Sequence, residues 1–466
     1  MRSRHRWKAK RRLFFARSTL SNQQKQMCFD DFSFSGFDRS KRRNHISFFR
    51  TVSTDNSKSK PSISESRQLW EEMSPDTREL ARSIICQYTT SNADRNFHDN
   101  NVFDAEATRK DRIQTIMHPR VAISRAITLV ESKHPFKKRQ GDILLTYLLL
   151  SSPSRGIQNE RTKSRNNSIL PTSLPTQTLR VGFAGPPGVG KSSIMEAFGM
   201  NLLARDPKLK LAVVCIDPSS TSSTGGSIPG GSILADKTRM IQLSRQVDRA
   251  LVRPSCNSGV LGGLAAYTDD VVRLLGCAGY PLVLVETVGL GQSETEVAHS
   301  VDVLVLLVSP SGGDELQGVK KGIVEVANIL AVTKNDGDLE AAADRTAADY
   351  RSALRVLYHS NDNKKRWIPP VVKTSSITQC GLDDLWQSIL KYEQHLLKTG
   401  DWHIQRQKQA KYWMWKHFSC QIQNKLREEA KFDAKAQILE QHVLQGLLTP
   451  RVAAQKLKDY FFGGVK

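Results

Sequence analysis

Between residues 179 and 396 the chain alternates between two hydrophobic rhythms. Short apolar runs, LRVGFAG, LKLAVVCID, LVLVETVG, VLVLLVS, ILAVTKND and PPVVKTSS, are separated by segments of helical character. Strands that are apolar at nearly every position are buried on both faces, and helices between them cover a parallel sheet from both sides. The predicted fold class over 179–396 is therefore α/β, a mostly parallel sheet covered by helices. Ligands of such sheets sit at the carboxyl ends of the strands. The polar residues that close each run are accordingly the candidates for chemistry.

The flanks follow other patterns. Residues 65–178 read as an N-terminal helical region and linker. Val121, Ile123, Ile127, Leu129 and Val130 keep a period of roughly 3.6 residues, Ile143 to Leu150 form a second buried stretch, and a polar Asn/Ser/Pro segment runs from Ser154 to Thr178. Residues 397–466 are helical to the end, with a long segment expected over Ile404 to Lys431. A final helix is announced by Thr449 as N-cap and Pro450 at its first position. Tyr412, Trp413 and Trp415 are expected to be packing residues, within the chain or against a second subunit. Residues 1–64 are polar and rich in Ser and Arg, a composition that does not build a core.

Charge changes the picture at the amino end. The formal net charge is +22, and the first 60 residues, with sixteen Lys or Arg against four Asp, supply +12 of it. The first seventeen residues hold eight basic residues and no acid, interleaved with Trp7, Leu13, Phe14 and Phe15. That is the profile of a mitochondrial transit peptide. A basic arm for nucleic acid is the competing reading, and it weakens because no base-stacking pattern accompanies the charge. No run approaches the ~20 apolar residues of a membrane span. Seven scattered cysteines without a C-x-x-C pair argue for reduced thiols rather than a disulfide framework or a zinc knuckle.

The first strand-like run is followed by Gly185-Pro186-Pro187-Gly188-Val189-Gly190-Lys191-Ser192-Ser193, a complete G-x-x-x-x-G-K-[ST] phosphate loop. Its glycines let backbone N–H groups turn toward phosphate oxygens, and the following helix presents its positive end to the same anion. Lys191 would neutralise the β and γ phosphates, and the Ser192 hydroxyl would ligate magnesium. Thr333-Lys334-Asn335-Asp336 closes the fifth run and matches N-K-x-D except at its first position. The Asp336 carboxylate would accept from the ring N–H and exocyclic amine of guanine, selecting GTP over ATP. Thr333 in place of Asn loses the side-chain amide bonds that brace such a loop. Glu286-Thr287-Val288-Gly289 stands where D-x-x-G is usual, so that Glu286 would serve the metal and Gly289 would sense the γ phosphate. Asp217, closing the second run, is a further metal candidate, with capping of the next turn as its alternative. The Gly-punctuated loop from Gly312 to Gly322, with Lys320 and Lys321, is either a moving loop or a solvated face.

These blocks in order, GPPGVGKSS, IDPSST, GGSILADKTRM, RPSCNSGVLGG, ETVGLGQSE, GGDELQGVKKGI, TKNDGD and RQKQAKYWMW, resemble the methylmalonyl-CoA mutase-associated GTPases, the methylmalonic aciduria type A proteins. The likeness runs from about Ile113 to Phe462. It implies a P-loop GTPase of the mitochondrial matrix that binds GTP, GDP and Mg2+ and associates with methylmalonyl-CoA mutase. It also implies gated delivery of adenosylcobalamin from the cobalamin adenosyltransferase and protection or rescue of the mutase. Carried over by residue, Lys191 and Ser192 hold phosphate and magnesium, while Asp217, Asp236 and Glu286 line the metal and γ-phosphate region. Lys320 and Lys321 sit in a switch loop, and Asp336 reads guanine with Ser375, in Thr374-Ser375-Ser376, behind the base. The C-terminal helices of this family form a homodimerisation arm. The chain departs from the pattern in a longer loop, TSSTGGSIPGGSILADKTRM, in a longer segment from Gly156 to Thr178, and in Ala235 where glycine is common. The water-positioning group stays unassigned, with Gln292 as a candidate. A sister metal chaperone and a small-molecule P-loop kinase are the alternative enzymes.

Overall fold

The computed structural model describes residues 63–91, 117–132, 134–151, 178–217, 240–256, 267–287, 296–310, 321–359 and 367–463. Seven strands run parallel: β1 (Leu179–Ala184), β2 (Leu211–Asp217), β3 (Ala250–Cys256), β4 (Leu282–Glu286), β5 (Val303–Val308), β6 (Ile329–Val332) and β7 (Val371–Lys373). Their order across the sheet is β3-β2-β4-β1-β5-β6-β7. In register, Val213, Leu284, Val181 and Val303 form one row, and Glu286 stands opposite both Phe183 and Cys215. Every residue of β1, β4, β5 and β6 is buried, as the unbroken apolar runs require.

The described helices are α1 (Ile63–Glu72), α2 (Pro75–Ser91), α3 (Pro119–Val130), α4 (Pro135–Ser151), α5 (Lys191–Arg205), α6 (Ile241–Arg245) and α7 (Thr268–Cys277). They continue with α8 (Lys321–Val326), α9 (Glu340–His359), α10 (Leu382–Thr399), α11 (Asp401–Glu428), α12 (Ala430–Leu444) and α13 (Pro450–Gly463). Helices α5 and α10 share a core with Leu179, Val181 and Phe183 of β1. Phe198 meets Phe183 and Trp386 edge-on, both with centroids 6.0 Å apart. Side chains of this size contribute about 1.5–3 kcal/mol each when fully buried. Helix α7 packs against β2 and β4 and carries α2, α3 and α4 on its outer side. Arg120 of α3 donates to Val247 O at 2.8 Å and Ala250 O at 3.1 Å, and Glu131 pairs with Arg253 of β3 at 3.0 Å.

Several expectations shift in detail. Strand β3 was not among the apolar runs, because Arg253 and Pro254 interrupt it; proline is tolerated here since β3 is an edge strand. In α3 the buried face is Ala122, Ile123, Ala126, Ile127 and Val130, whereas Val121 is exposed. Helix α1 starts at Ile63, two residues before the expected boundary. The long C-terminal helix spans Asp401–Glu428 rather than 404–431, because Gly400, at φ +80°, ends α10 and starts α11 at once. Thr449 Oγ1 accepts from Val452 N at 3.4 Å, and the last helix does begin at Pro450. Trp413 is 2% exposed, yet Trp415 is 54% exposed and packs edge-on against Phe418. Among the described residues no helix is long and apolar enough to cross a membrane. Most of residues 1–64 and of the 154–178 segment lie outside the described residues.

Candidate functional site

The phosphate loop joins β1 to α5. Gly188 and Gly190 take φ values of +80° and +93°, in the left-handed region where glycine costs little. Gly190 is the N-cap of α5, and its carbonyl receives Ile194 N at 2.9 Å. The loop therefore ends on a helix N-terminus whose free N–H groups favour an anion. Val189 is buried and donates its N–H to Pro186 O at 3.3 Å, while Pro187, Gly188 and Ser193 lie at the surface. The Lys191 ammonium is turned back over the loop, donating to Gly185 O at 2.8 Å and Pro186 O at 3.2 Å.

One residue into α5, Ser192 Oγ donates to Glu286 Oε1 at 2.7 Å across the β1 and β4 strand ends. Glu286 is 7% exposed, and its Oε2 has no hydrogen-bond partner; the neighbouring Thr287 Oγ1 is likewise buried and unpartnered. Thr287 N donates to Phe183 O at 3.1 Å and fixes the strand end. A hydroxyl beside a carboxylate with an orphaned oxygen is a hard-oxygen donor set, which fits magnesium. Cys215 is opposite Glu286, so Asp217 ends β2 two residues further toward the same end of the sheet. Lys321 opens α8. Asp236, Gly289, Gln292 and Lys320 lie outside the described residues.

The third motif follows β6. Thr333 Oγ1 donates to Val189 O at 2.8 Å and Val308 O at 3.3 Å. The expected loss of an asparagine's bracing bonds is thus offset by a hydroxyl that ties this loop directly to the phosphate loop. Lys334 is exposed at φ +54°, a left-handed conformation that sharpens the turn. Asn335 N donates to Thr374 O at 3.1 Å and Thr374 N to Val332 O at 2.7 Å, joining the ends of β6 and β7. Ser375 Oγ donates to Asp336 Oδ2 and itself accepts from Ile377 N and Thr378 N, both at 3.1 Å. The Asp336 carboxylate is therefore held by a fully buried serine, with half-buried Ser376 next to it. Sequence patterns did not reveal the bond from Thr333 to Val189, nor that Asn335 Oδ1 is buried without a partner.

The structure thus gathers Gly185 to Ser193, Glu286, Thr333 to Asp336 and Ser375 at the carboxyl ends of β1, β4, β6 and β7. Comparison with known proteins gives the same direction. The family described as "Methylmalonyl Co-A mutase-associated GTPase MeaB" matches residues 154–431. A protein of Mus musculus named "Methylmalonic aciduria type A homolog, mitochondrial" is 38% identical over 366 residues, 78% of this chain and 82% of its own. The Caenorhabditis elegans protein of that name is 40% identical over 344 residues, covering 74% and 80%. Among solved structures, that titled "Crystal structure of LAO/AO transport system kinase" superposes with a TM-score of 0.51 at 31% identity, over 73% of this chain and 93% of that one. On motif, fold and extent of match, this chain belongs to the MeaB family of methylmalonyl-CoA mutase-associated GTPases.

Proposed function

We propose that the protein is a guanine-nucleotide hydrolase of the mitochondrial matrix that serves methylmalonyl-CoA mutase as a chaperone. In this reading it gates the loading of adenosylcobalamin supplied by the cobalamin adenosyltransferase, protects or reactivates the mutase, and acts as a homodimer through its C-terminal helices. The observation that carries the nucleotide half is the Asp336 carboxylate, braced by Ser375 and linked through Thr333 to a complete phosphate loop. The family match supports the association with the mutase, and relatives named as mitochondrial support the compartment.

The chemistry assigned to the chain is mainly positioning. Lys191 leaves the loop carbonyls for the β and γ phosphates, the N-terminus of α5 holds the same oxygens, and Asp336 fixes the base. Ser192 and Glu286, with Asp217 at the next strand end, would hold Mg2+, which neutralises charge on the β and γ phosphates when bound. The remaining assigned groups, Gly289, Asp236, Lys320 and Lys321, would respond to the γ phosphate. Hydrolysis adds water to the γ-phosphorus as the bond to the β–γ bridging oxygen breaks, giving GDP and phosphate.

The printed kinase title of the similar structure favours one second reading, transfer of the γ-phosphoryl group to a small acceptor. Phosphate release from GTP and from ATP by the full chain, with and without methylmalonyl-CoA mutase, separates the two. GTP-selective release that rises with the mutase is the expected result. Release indifferent to the mutase removes the chaperone reading, preference for ATP removes the role of Asp336, and a phosphorylated acceptor without free phosphate favours the kinase.

A further inference from the structure

A cavity of about 480 Å³ lies at the amino end of the sheet, between the carboxyl half of α10, the start of α11 and the residues that lead into β5 and β7. The phosphate and base loops follow the opposite ends of the strands, and the volume is that of a small-molecule pocket. Three side chains form an aromatic wall: the Trp367 ring centroid lies 5.0 Å from that of Tyr392 and 5.4 Å from that of His395. Asn328 sets this wall in place. Its carbonyl accepts from Trp367 Nε1 at 2.8 Å, its Nδ2 donates to the Tyr392 hydroxyl at 2.9 Å, and its Oδ1 accepts from Leu304 N of β5 at 2.8 Å. His299 lines the cavity as a fourth ring, held flat against Tyr412 at 4.0 Å. Burial holds its imidazole below the usual histidine range, so the ring is neutral at pH 7.

Helix α11 adds one charge of each sign. Asp401 and Lys408 both line the cavity, on one face of the helix and about 10 Å apart along its axis. Among the described residues neither the Asp401 carboxylate nor the Lys408 ammonium has a hydrogen-bond or ion-pair partner. Gln405 and Gln409, the other polar groups that α11 presents here, already give their amide N–H groups to the backbone of 298–302. The two charges are therefore what a ligand would answer. A flat wall of rings takes a further flat ring by stacking. The carboxylate calls for an N–H donor at one edge of that ring, and the ammonium for an anion beyond its other side. An amine-bearing base joined through ribose to a phosphate offers both in that order.

We propose that this cavity is a second nucleotide site, for a nucleoside 5′-monophosphate whose base carries an exocyclic amine: the base stacks on Trp367 and His395, Asp401 accepts from the amine, and Lys408 pairs with the phosphate. A single ammonium matches a single phosphate. The site is separate from the phosphate loop and stands whether or not the guanine-nucleotide reading above does.

Calorimetric titration of the full chain with adenosine 5′-monophosphate, in the presence of one equivalent of GDP, tests this. One molecule is expected to bind per chain with a dissociation constant below about 1 mM. Lys408→Ala is expected to weaken that binding about tenfold or more, because a charge-assisted contact to phosphate is lost. Asp401→Ala is expected to weaken it about fivefold and to leave the binding of purine riboside 5′-monophosphate, which lacks the amine, unchanged. Both side chains are exposed, so the two variants are expected to melt with the wild type. Lys191→Ala, which disables the phosphate loop, is expected to bind adenosine 5′-monophosphate as the wild type does. Absence of binding to the wild type overturns the proposal, and so does equal binding by the wild type and both cavity variants. Loss of binding in Lys191→Ala also overturns it, because the ligand would then occupy the phosphate loop.

Discussion

The two ends of the sheet treat buried polar groups in opposite ways. At the carboxyl end, Glu286 Oε2, Thr287 Oγ1 and Asn335 Oδ1 are buried with no partner. At the amino end, Asp302 receives Arg180 through its backbone N at 3.0 Å and its Nε and Nη2 at 3.1 and 2.6 Å, and Arg406 adds two more bonds. An orphaned buried polar atom costs about 1–3 kcal/mol. Such atoms clustered at a strand end mark where a ligand supplies the missing partners. A fully matched ionic cluster marks a joint, here between β1, the segment before β5 and α11.

The largest effect that bears on this contrast is expected at the joint. Burial alone would raise the Asp302 carboxyl, but the Arg180 and Arg406 guanidinia hold it well below the usual carboxylate range. Its contribution to stability is therefore present above its ordinary value of 3.8 and is lost as the pH falls below it. Asp302→Ala leaves two guanidinia without their shared anion and is expected to lower the free energy of unfolding by about 3–5 kcal/mol at neutral pH. Urea titration at pH 7 measures it. A loss under about 1 kcal/mol would show the cluster to be no joint.

Lys191→Ala should do the reverse. Its bonds to two loop carbonyls contribute little to folding, whereas loss of the ammonium is expected to weaken guanine-nucleotide binding at least about a hundredfold. Calorimetric titration with GDP and a melting curve on the same protein test both halves. Normal affinity would sink the site assignment; destabilisation on the scale of Asp302→Ala would make the carboxyl end structural too. Next in size, Asp336→Asn keeps the shape and the bond to Ser375 but replaces one carboxylate oxygen with a donor. The preference for GTP over ATP is expected to fall about tenfold or more, read from the two dissociation constants.

How far the sequence revealed each end follows from where its partners lie. The sheet was legible because β1, β4, β5 and β6 are apolar at nearly every position, and the phosphate loop because its residues are contiguous. Strand β3 escaped because edge placement lets Arg253 and Pro254 into it. The brace from Thr333 to Val189 joins residues 144 apart, and its acceptor is a backbone carbonyl that no side-chain pattern encodes. The joint was less legible still. Arg180 reads as a blemish in an apolar run, and Gln409 as one more polar residue of a helix; only the fold brings both to Asp302 and the 298–301 backbone.

Ser300 Oγ, Glu296 Oε2 and both oxygens of Glu393 near the joint break the rule, and Glu393 sharpens the comparison. Glu393 of α10 is 1% exposed, and neither carboxylate oxygen has a hydrogen-bond partner. Burial pushes its carboxyl up to about 7, with the Asp302 charge adding to the rise and Arg406 opposing it. Because the folded value lies above the ordinary 4.5, the associated stability is fully present below about pH 4.5 and is lost as the pH rises through 7. Glu393→Gln removes the ionisation while keeping the shape. It is expected to stabilise the protein by up to about 3 kcal/mol at pH 8 and by little at pH 5. Urea unfolding of both proteins at the two pH values gives the difference. An equal effect at both would mean that Glu393 ionises as freely in the folded chain as outside it. The amino end would then hold a charge satisfied in some other way, and Glu393 would drop out of the comparison.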